Sequence, residues 1–290
     1  MFPVYAEKIR ASKNLVIKMT CFNNIFCGSK VLVLGHTGFK GSWLTLWLDK
    51  LGAHVVGASI DTPTTPSHFE SADVSELCQS EIVDIRKFEQ VNQLFGDTKP
   101  DYLFHLAAQA LVRRSVVDPV KTFETNTLGT INVLETLRRT TSKCIATLIT
   151  SDKCYENIEM VHGYRETDRL GGKDPYSASK GAAELAIAAY IHSIIKDNRS
   201  SPVRIAVGRA GNVIGGGDWA DDRLVPDAFK AWVEGKVLDV RSPNATRPWQ
   251  HVLEPLSGYL HLAAALSNRP ELHGEPFNFG PRTENISTVE

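Results

Sequence analysis

Lys30-Val31-Leu32-Val33-Leu34-Gly35-His36-Thr37-Gly38-Phe39-Lys40-Gly41-Ser42-Trp43-Leu44 is the stretch whose reading decides the fold. An apolar run enters a turn with three glycines, and a helix-like segment continues to Leu48. Strand, glycine turn and helix form the context of a dinucleotide-binding βα unit. Glycine at 35 and 38 keeps β-carbons away from a pyrophosphate, and glycine at 41 lets the helix approach the sheet. The helix N-terminus offers free N–H groups and a partial positive charge to phosphates. Gly35, His36, Thr37, Gly38, Phe39, Lys40 and Gly41 are therefore candidate cofactor contacts.

Outward from this unit, strand and helix alternate. Apolar strands are expected at 30–34, 54–60, 81–84, 101–107, 145–150 and 203–209, with helices at about 40–51, 86–95, 119–139 and 176–196. Ile145-Ala146-Thr147-Leu148-Ile149 is apolar on both faces, as a buried parallel strand requires. The series predicts an α/β fold, a doubly wound parallel sheet of Rossmann type. After 210 the rhythm breaks at Gly215-Gly216-Gly217-Asp218, followed by a helix near 224–234, a short strand at 237–241, a Pro-rich loop over 242–250, a helix at 255–267 and a strand near 277–280. The expected organisation is a disordered N-terminal extension over 1–21, an NAD-binding domain over 22–211 and a smaller substrate-binding lobe over 212–290. One strand near 276–280 returns to the sheet. The basic segment before Met19 lacks a secretory apolar core, and Met19 reads as the true start.

Composition narrows the class. Lys and Arg number 32 against 33 Asp and Glu, so no global charge favours a nucleic-acid or membrane partner. No apolar stretch reaches the ~18 residues of a membrane span. Five scattered cysteines have no zinc-site spacing, which predicts no metal and a reducing, cytoplasmic setting.

Further residues downstream carry chemistry. Asp61 follows the second strand, where a carboxylate accepts ribose hydroxyls and favours NAD over NADP; Asp61-Thr62-Pro63 is equally a turn. Asp84, before Ile85, is either an adenine contact or a helix cap. Tyr176 and Lys180 share one helix face, where an ammonium beside the phenol, with a positive nicotinamide, favours the phenolate. A diphosphate ligand calls for arginine forks, with Arg247, Arg241 and Arg223 as candidates against a reading as solvated charges. Asn212 is placed to meet a phosphate or sugar oxygen. The Gly215–Gly217 loop either approaches the nucleotide or is a plain turn, and Trp219 and Trp249 are either base-packing or core. His105, His251, Trp43 and Trp47 read as structural.

The order of these motifs resembles the extended short-chain dehydrogenase/reductases, with their G-x-x-G-x-x-G spacing and the string His105-Leu106-Ala107-Ala108-Gln109 after strand four. That resemblance implies cofactor contacts at Leu106, Ala107, Ala108, Ile85 and Asn126, a substrate contact at Gln109, and Ser151 as third member of a set with Tyr176 and Lys180. Ser151-Asp152-Lys153-Cys154-Tyr155-Glu156-Asn157, the run Arg209 to Trp219 and the run Arg247 to Tyr259 resemble, more narrowly, the CDP-glucose branch of the sugar-nucleotide 4,6-dehydratases. This implies that Asp152 protonates a departing hydroxyl and Lys153 serves the C5 proton step, on a CDP-glucose-like substrate with NAD, in a homodimer paired through two helices. Relatives of that branch continue further, so the substrate lobe is expected to be incomplete. A nucleotide-sugar 4-epimerase, which has no need of Asp152-Lys153, and a silent NAD-binding relative are the alternative readings.

Overall fold

The computed structural model describes residues 21–160, 162–195, 202–240, 243–281 and 287–288. Strands β1 (Lys30–Leu34), β2 (His54–Ser59), β3 (Gln79–Ile82), β4 (Tyr102–His105), β5 (Cys144–Ile149), β6 (Val203–Ala210) and β7 (Pro276–Phe279) form one sheet in the order β7-β6-β5-β4-β1-β2-β3. Every pairing in it is parallel. The order reverses between β1 and β4, and the crevice at that reversal is where such sheets bind ligands.

Alternation along each strand feeds two cores. Val31 and Val33 point into one, with Leu44 and Leu48 of α1 (Phe39–Lys50) and Leu256, Tyr259 and Leu260 of α8 (Leu253–Asn268). Leu32 and Leu34 point into the other. There they meet Val91 and Leu94 of α2 (Phe88–Thr98), Val133, Leu134 and Leu137 of α5 (Gly129–Arg139) and Ile187 of α6 (Pro175–Tyr190). Strand β5 is buried at every residue, as its two-faced apolar sequence demands. Helix α8 and strand β7 belong to these layers, so the residues beyond the sheet are mainly those between 212 and 252.

Two expected elements differ. The 119–139 helix is three segments: α4 (Pro119–Phe123), a π-turn at Glu124–Leu128, and α5. The π-turn directs Asn126 inward, where it is 1% exposed. The strand expected at 237–241 does not form over its described part, 237–240. Val237 is 96% exposed, and no neighbouring strand offers it a ladder among the described residues. Short pairings link Val213–Ile214 with Gln250–His251, and Thr246–Arg247 with Ser287–Thr288. Between them α3 (Val112–Val117) and α7 (Leu224–Val233) complete the labelled helices.

Candidate active site

The glycine turn lies at the C-terminal end of β1, beside the crevice. Gly35 has φ +91°, and a β-carbon there would fall 2.7 Å from the Ala107 nitrogen. One at Gly41 would strike the Gly35 carbonyl. These glycines are thus required first by backbone packing on the Leu106–Ala107 loop and on the turn itself. The start of α1 has Gly38 as N-cap and no side-chain cap, which leaves its first N–H groups to an anion. Thr37 Oγ1 donates to the Asp61 carbonyl at 2.6 Å, and Asp61 itself is exposed at the end of β2. A cradle without β-carbons, an uncapped helix start and an exposed carboxylate together fit a dinucleotide. The His36 side chain takes another direction. Its ring nitrogens meet Ser59 Oγ at 3.1 Å and Ser80 Oγ at 2.7 Å, tying β1 to β2 and β3, and burial lowers its pKa. The Asp84 carboxylate is gripped by Arg86, 2.6 Å from Nη2, which holds it below the ordinary carboxylate range. It does not cap α2, whose N-cap is Lys87.

The candidate catalytic residues follow β5 and lie on α6. After β5, Ser151 Oγ donates to Asp152 Oδ1 at 2.9 Å and accepts from the Lys153 N–H at 3.3 Å. Lys153 Nζ stands 3.9 Å from Asp152 Oδ1. Helix α6 begins with Asp174 as N-cap and Pro175 in its first turn, a pairing that fixes the start of the helix. Tyr176 is thereby held in the first turn, its N–H donating to Ser115 Oγ at 3.1 Å. Burial pushes the Tyr176 phenol up to about 12; a hydrogen bond with Ser151 and the charge of Arg223 pull it down, and Asp152 raises it. Lys180, one turn further, is brought down to about 8 by burial, against an upward pull from Glu184. Lys40 reaches the same space: its Nζ is 5.9 Å from the Tyr259 ring centre, and burial and Arg223 lower it to about 8.

The residues expected to meet substrate scatter more. The Gln109 amide is committed to its own loop, donating to Leu111 O and Thr122 Oγ1 and accepting from the Leu111 N–H. Asn126 braces that loop against α6, donating to Gln109 O at 3.0 Å and Ser179 Oγ at 2.9 Å. Ile85 is buried against Gly129. Asn212 Oδ1 is buried without a hydrogen-bond partner among the described residues. Arg223 is held by Asp218 at 2.8 Å, and Arg247 sits half-buried on its short strand. Arg241 lies outside the described residues. Trp43 packs against the core as read, and its ring also donates to Gly216 O at 3.0 Å and stacks on His68 at 4.2 Å, fixing the glycine loop. Trp219 lines a cavity of about 200 Å³ with Pro226 and Phe229.

Residues 31–280 match the family model described as the NAD dependent epimerase/dehydratase family. The chain belongs to that family. It is 48% identical over 269 residues to the CDP-glucose 4,6-dehydratase of Salmonella typhimurium, covering 92% of this chain and 75% of the relative. An epimerase from Methanothermobacter thermautotrophicus is 25% identical with a TM-score of 0.76, covering 92% of this chain and 76% of that one. A dTDP-glucose 4,6-dehydratase from Streptomyces venezuelae, solved with NAD bound, shares the fold at 22% identity and a TM-score of 0.74, over 90% of this chain and 77% of that one.

Family motifs did not bring forward the buried group behind these residues. Arg209 and Glu184, each 4% exposed, form a two-point ion pair at 2.8 Å beneath Thr150 and Lys180. Two signals for it stand in the sequence: a charged residue inside the apolar strand Val203–Ala210, and an acid one helical turn beyond Lys180. Neither sequence feature says that the two meet.

Proposed function

We propose that this chain is an NAD-dependent hydro-lyase that converts CDP-D-glucose to CDP-4-dehydro-6-deoxy-D-glucose and water. The observation that carries the reading is the Ser151-Asp152-Lys153 turn beside Tyr176, because an acid and an amine next to the phenol serve elimination and are superfluous for epimerisation. The 48% identical relative supports it.

Gly35, Gly38, Gly41, the start of α1 and Asp61 hold NAD, which when bound supplies the two-electron acceptor for C4 and the donor for C6. Tyr176 takes the C4 hydroxyl proton while Ser151 orients that oxygen. Burial leaves Tyr176 protonated in the chain alone, so positive charge brought by the cofactor, beside Lys180, lowers the cost of its phenolate. The C4 ketone acidifies C5–H. A proton passed from the Lys153 ammonium to Asp152 leaves an amine beside a carboxylic acid; the amine accepts the C5 proton and returns it to C5 as C6 is reduced, and the acid protonates the departing 6-hydroxyl, which leaves as water. Their 3.9 Å separation lets the two groups rebalance charge between them. Asn212 Oδ1, an acceptor without a donor among the described residues, suits a sugar hydroxyl. Arg223 and Arg247 are assigned to the diphosphate, and the region from 212 to 252 to the nucleotide sugar.

We also infer a homodimer. Val117, Val120, Leu128 and Leu185, on α3, α4, the π-turn and α6, are each more than half exposed and apolar, as helix-paired faces are.

Mass spectrometry of CDP-, UDP-, dTDP- and GDP-glucose incubated with protein and NAD tests the reading. Loss of one water from the CDP form alone is expected. Isomerisation at constant mass would replace the reading with 4-epimerisation.

A further inference from the structure

We propose that Glu184 is the positioning residue of the active site, one carboxylate that sets both the strand end bearing Ser151 and the helix bearing Tyr176 and Lys180. The proposal rests on the function given above.

Glu184 lies on α6 one turn after Lys180 and two turns after Tyr176, facing inward. Its Oε1 accepts from the hydroxyl of Thr150, the residue just before Ser151, and from Arg209 Nε at 2.8 Å. Its Oε2 accepts from Arg209 Nη2 at 2.8 Å. Arg209 Nη1 continues to Tyr155 Oη at 2.7 Å and Glu166 O at 2.9 Å. Tyr155 then donates to Asn278 Oδ1 on β7 at 2.8 Å. One carboxylate thus joins the end of β5, helix α6, strand β6 and the segment that follows Lys153. A buried ion pair is a poor device for stability, since apolar packing of equal volume often does as well. Alignment is the better account of this one. Ser151 must face Tyr176 from a different element, and a small error in such a placement is costly in rate.

The second effect is electrostatic. Among the described residues, the charged and titratable groups around Lys180 are Glu184 and Tyr176 on its own helix, Cys154 after β5, His105 at the end of β4 and Lys40 on α1. Burial keeps His105 neutral, its pKa brought down to about 3, and holds Cys154 as a thiol. Lys40 repels a charged Lys180, so Glu184 is the anion that favours the ammonium. Removing its charge removes an upward pull, and Lys180 then loses its proton at lower pH.

The test uses three variants and two readouts. The 13Cε shift of Lys180 is followed against pH in lysine-labelled protein without NAD or substrate, so failure of CDP-glucose turnover leaves this measurement standing. Glu184→Gln is expected to titrate Lys180 lower by about one pH unit. Thr150→Val is expected to leave that titration in place and cut kcat by about 10-fold or more at little-changed KM. Should Glu184→Gln not fold, Glu184→Asp, with the charge kept and reach shortened, is expected to lower kcat while Lys180 titrates within about half a unit of wild type. An unmoved Lys180 in folded Glu184→Gln, wild-type kcat in Thr150→Val, or wild-type kcat in Glu184→Asp overturns the proposal.

Discussion

Replacing Asp152 by Asn separates the two halves of the proposed chemistry. Asn keeps an acceptor at Oδ1, so the 2.9 Å bond from Ser151 survives. It replaces Oδ2, which faces Gly211, with an amide group of nearly the same volume. Shape is therefore conserved and two things change. The side chain has no proton to give the 6-hydroxyl, and loss of a positioned general acid costs about 10²–10⁴-fold in the step it serves. The negative charge also goes. Asp152 raises the Tyr176 phenol, so its neutralisation lowers that pKa and makes proton removal from the C4 hydroxyl easier. C4 oxidation should proceed at wild-type rate or faster, with its pH profile displaced to lower pH, while water loss falls by about two to four orders of magnitude. The assay is a single turnover of CDP-glucose: nicotinamide absorbance reports oxidation, and quenched-flow mass spectrometry reports water loss. Accumulated reduced cofactor with unreleased keto sugar is the expected record. Dehydrated product at the wild-type rate, or equal loss of both steps, would refute the assignment of Asp152.

Gly41→Ala places a β-carbon against the Gly35 carbonyl and 2.9 Å from His36 Cα, neither of which is a flexible side chain. NAD affinity should fall by about 10-fold or more by calorimetry, because the backbone that approaches the pyrophosphate must move. Arg209→Ala leaves the Glu184 carboxylate buried without its partner, a change that costs about 3–5 kcal/mol in denaturant unfolding. Val120→Lys with Leu128→Glu puts charge on the exposed apolar helix faces; light scattering should show the mass of the assembly halve, and an unchanged mass would remove those helices from the interface.

The sequence alone determined the fold class and brought forward the residues proposed to react. Two-faced apolar runs suit a buried parallel sheet, and a glycine turn between strand and helix has few other uses, so β1, β5 and the turn that follows β1 were legible. Tyr176 and Lys180 were legible because four residues on a helix return to one face, and Ser151 to Lys153 because they follow a strand directly. Local spacing carries that information. The tertiary structure decided what depends on which elements come together. The His36 ring turns from the glycine turn to Ser59 and Ser80, Trp43 reaches from the edge of the core to Gly216, and the Gln109 amide turns into its own loop. The strand expected at 237–241 does not form over its described part, 237–240, because a strand needs a partner and chain-local composition does not supply one. The Glu184–Arg209 pair bridges 25 residues of sequence, and its Thr150 and Tyr155 contacts span 34 and 54. Burial does the rest: Tyr176 moves up to about 12 and Lys180 down to about 8 because packing removes water from both. Desolvation is a property of the folded surroundings, and no spacing of residues along a chain encodes it.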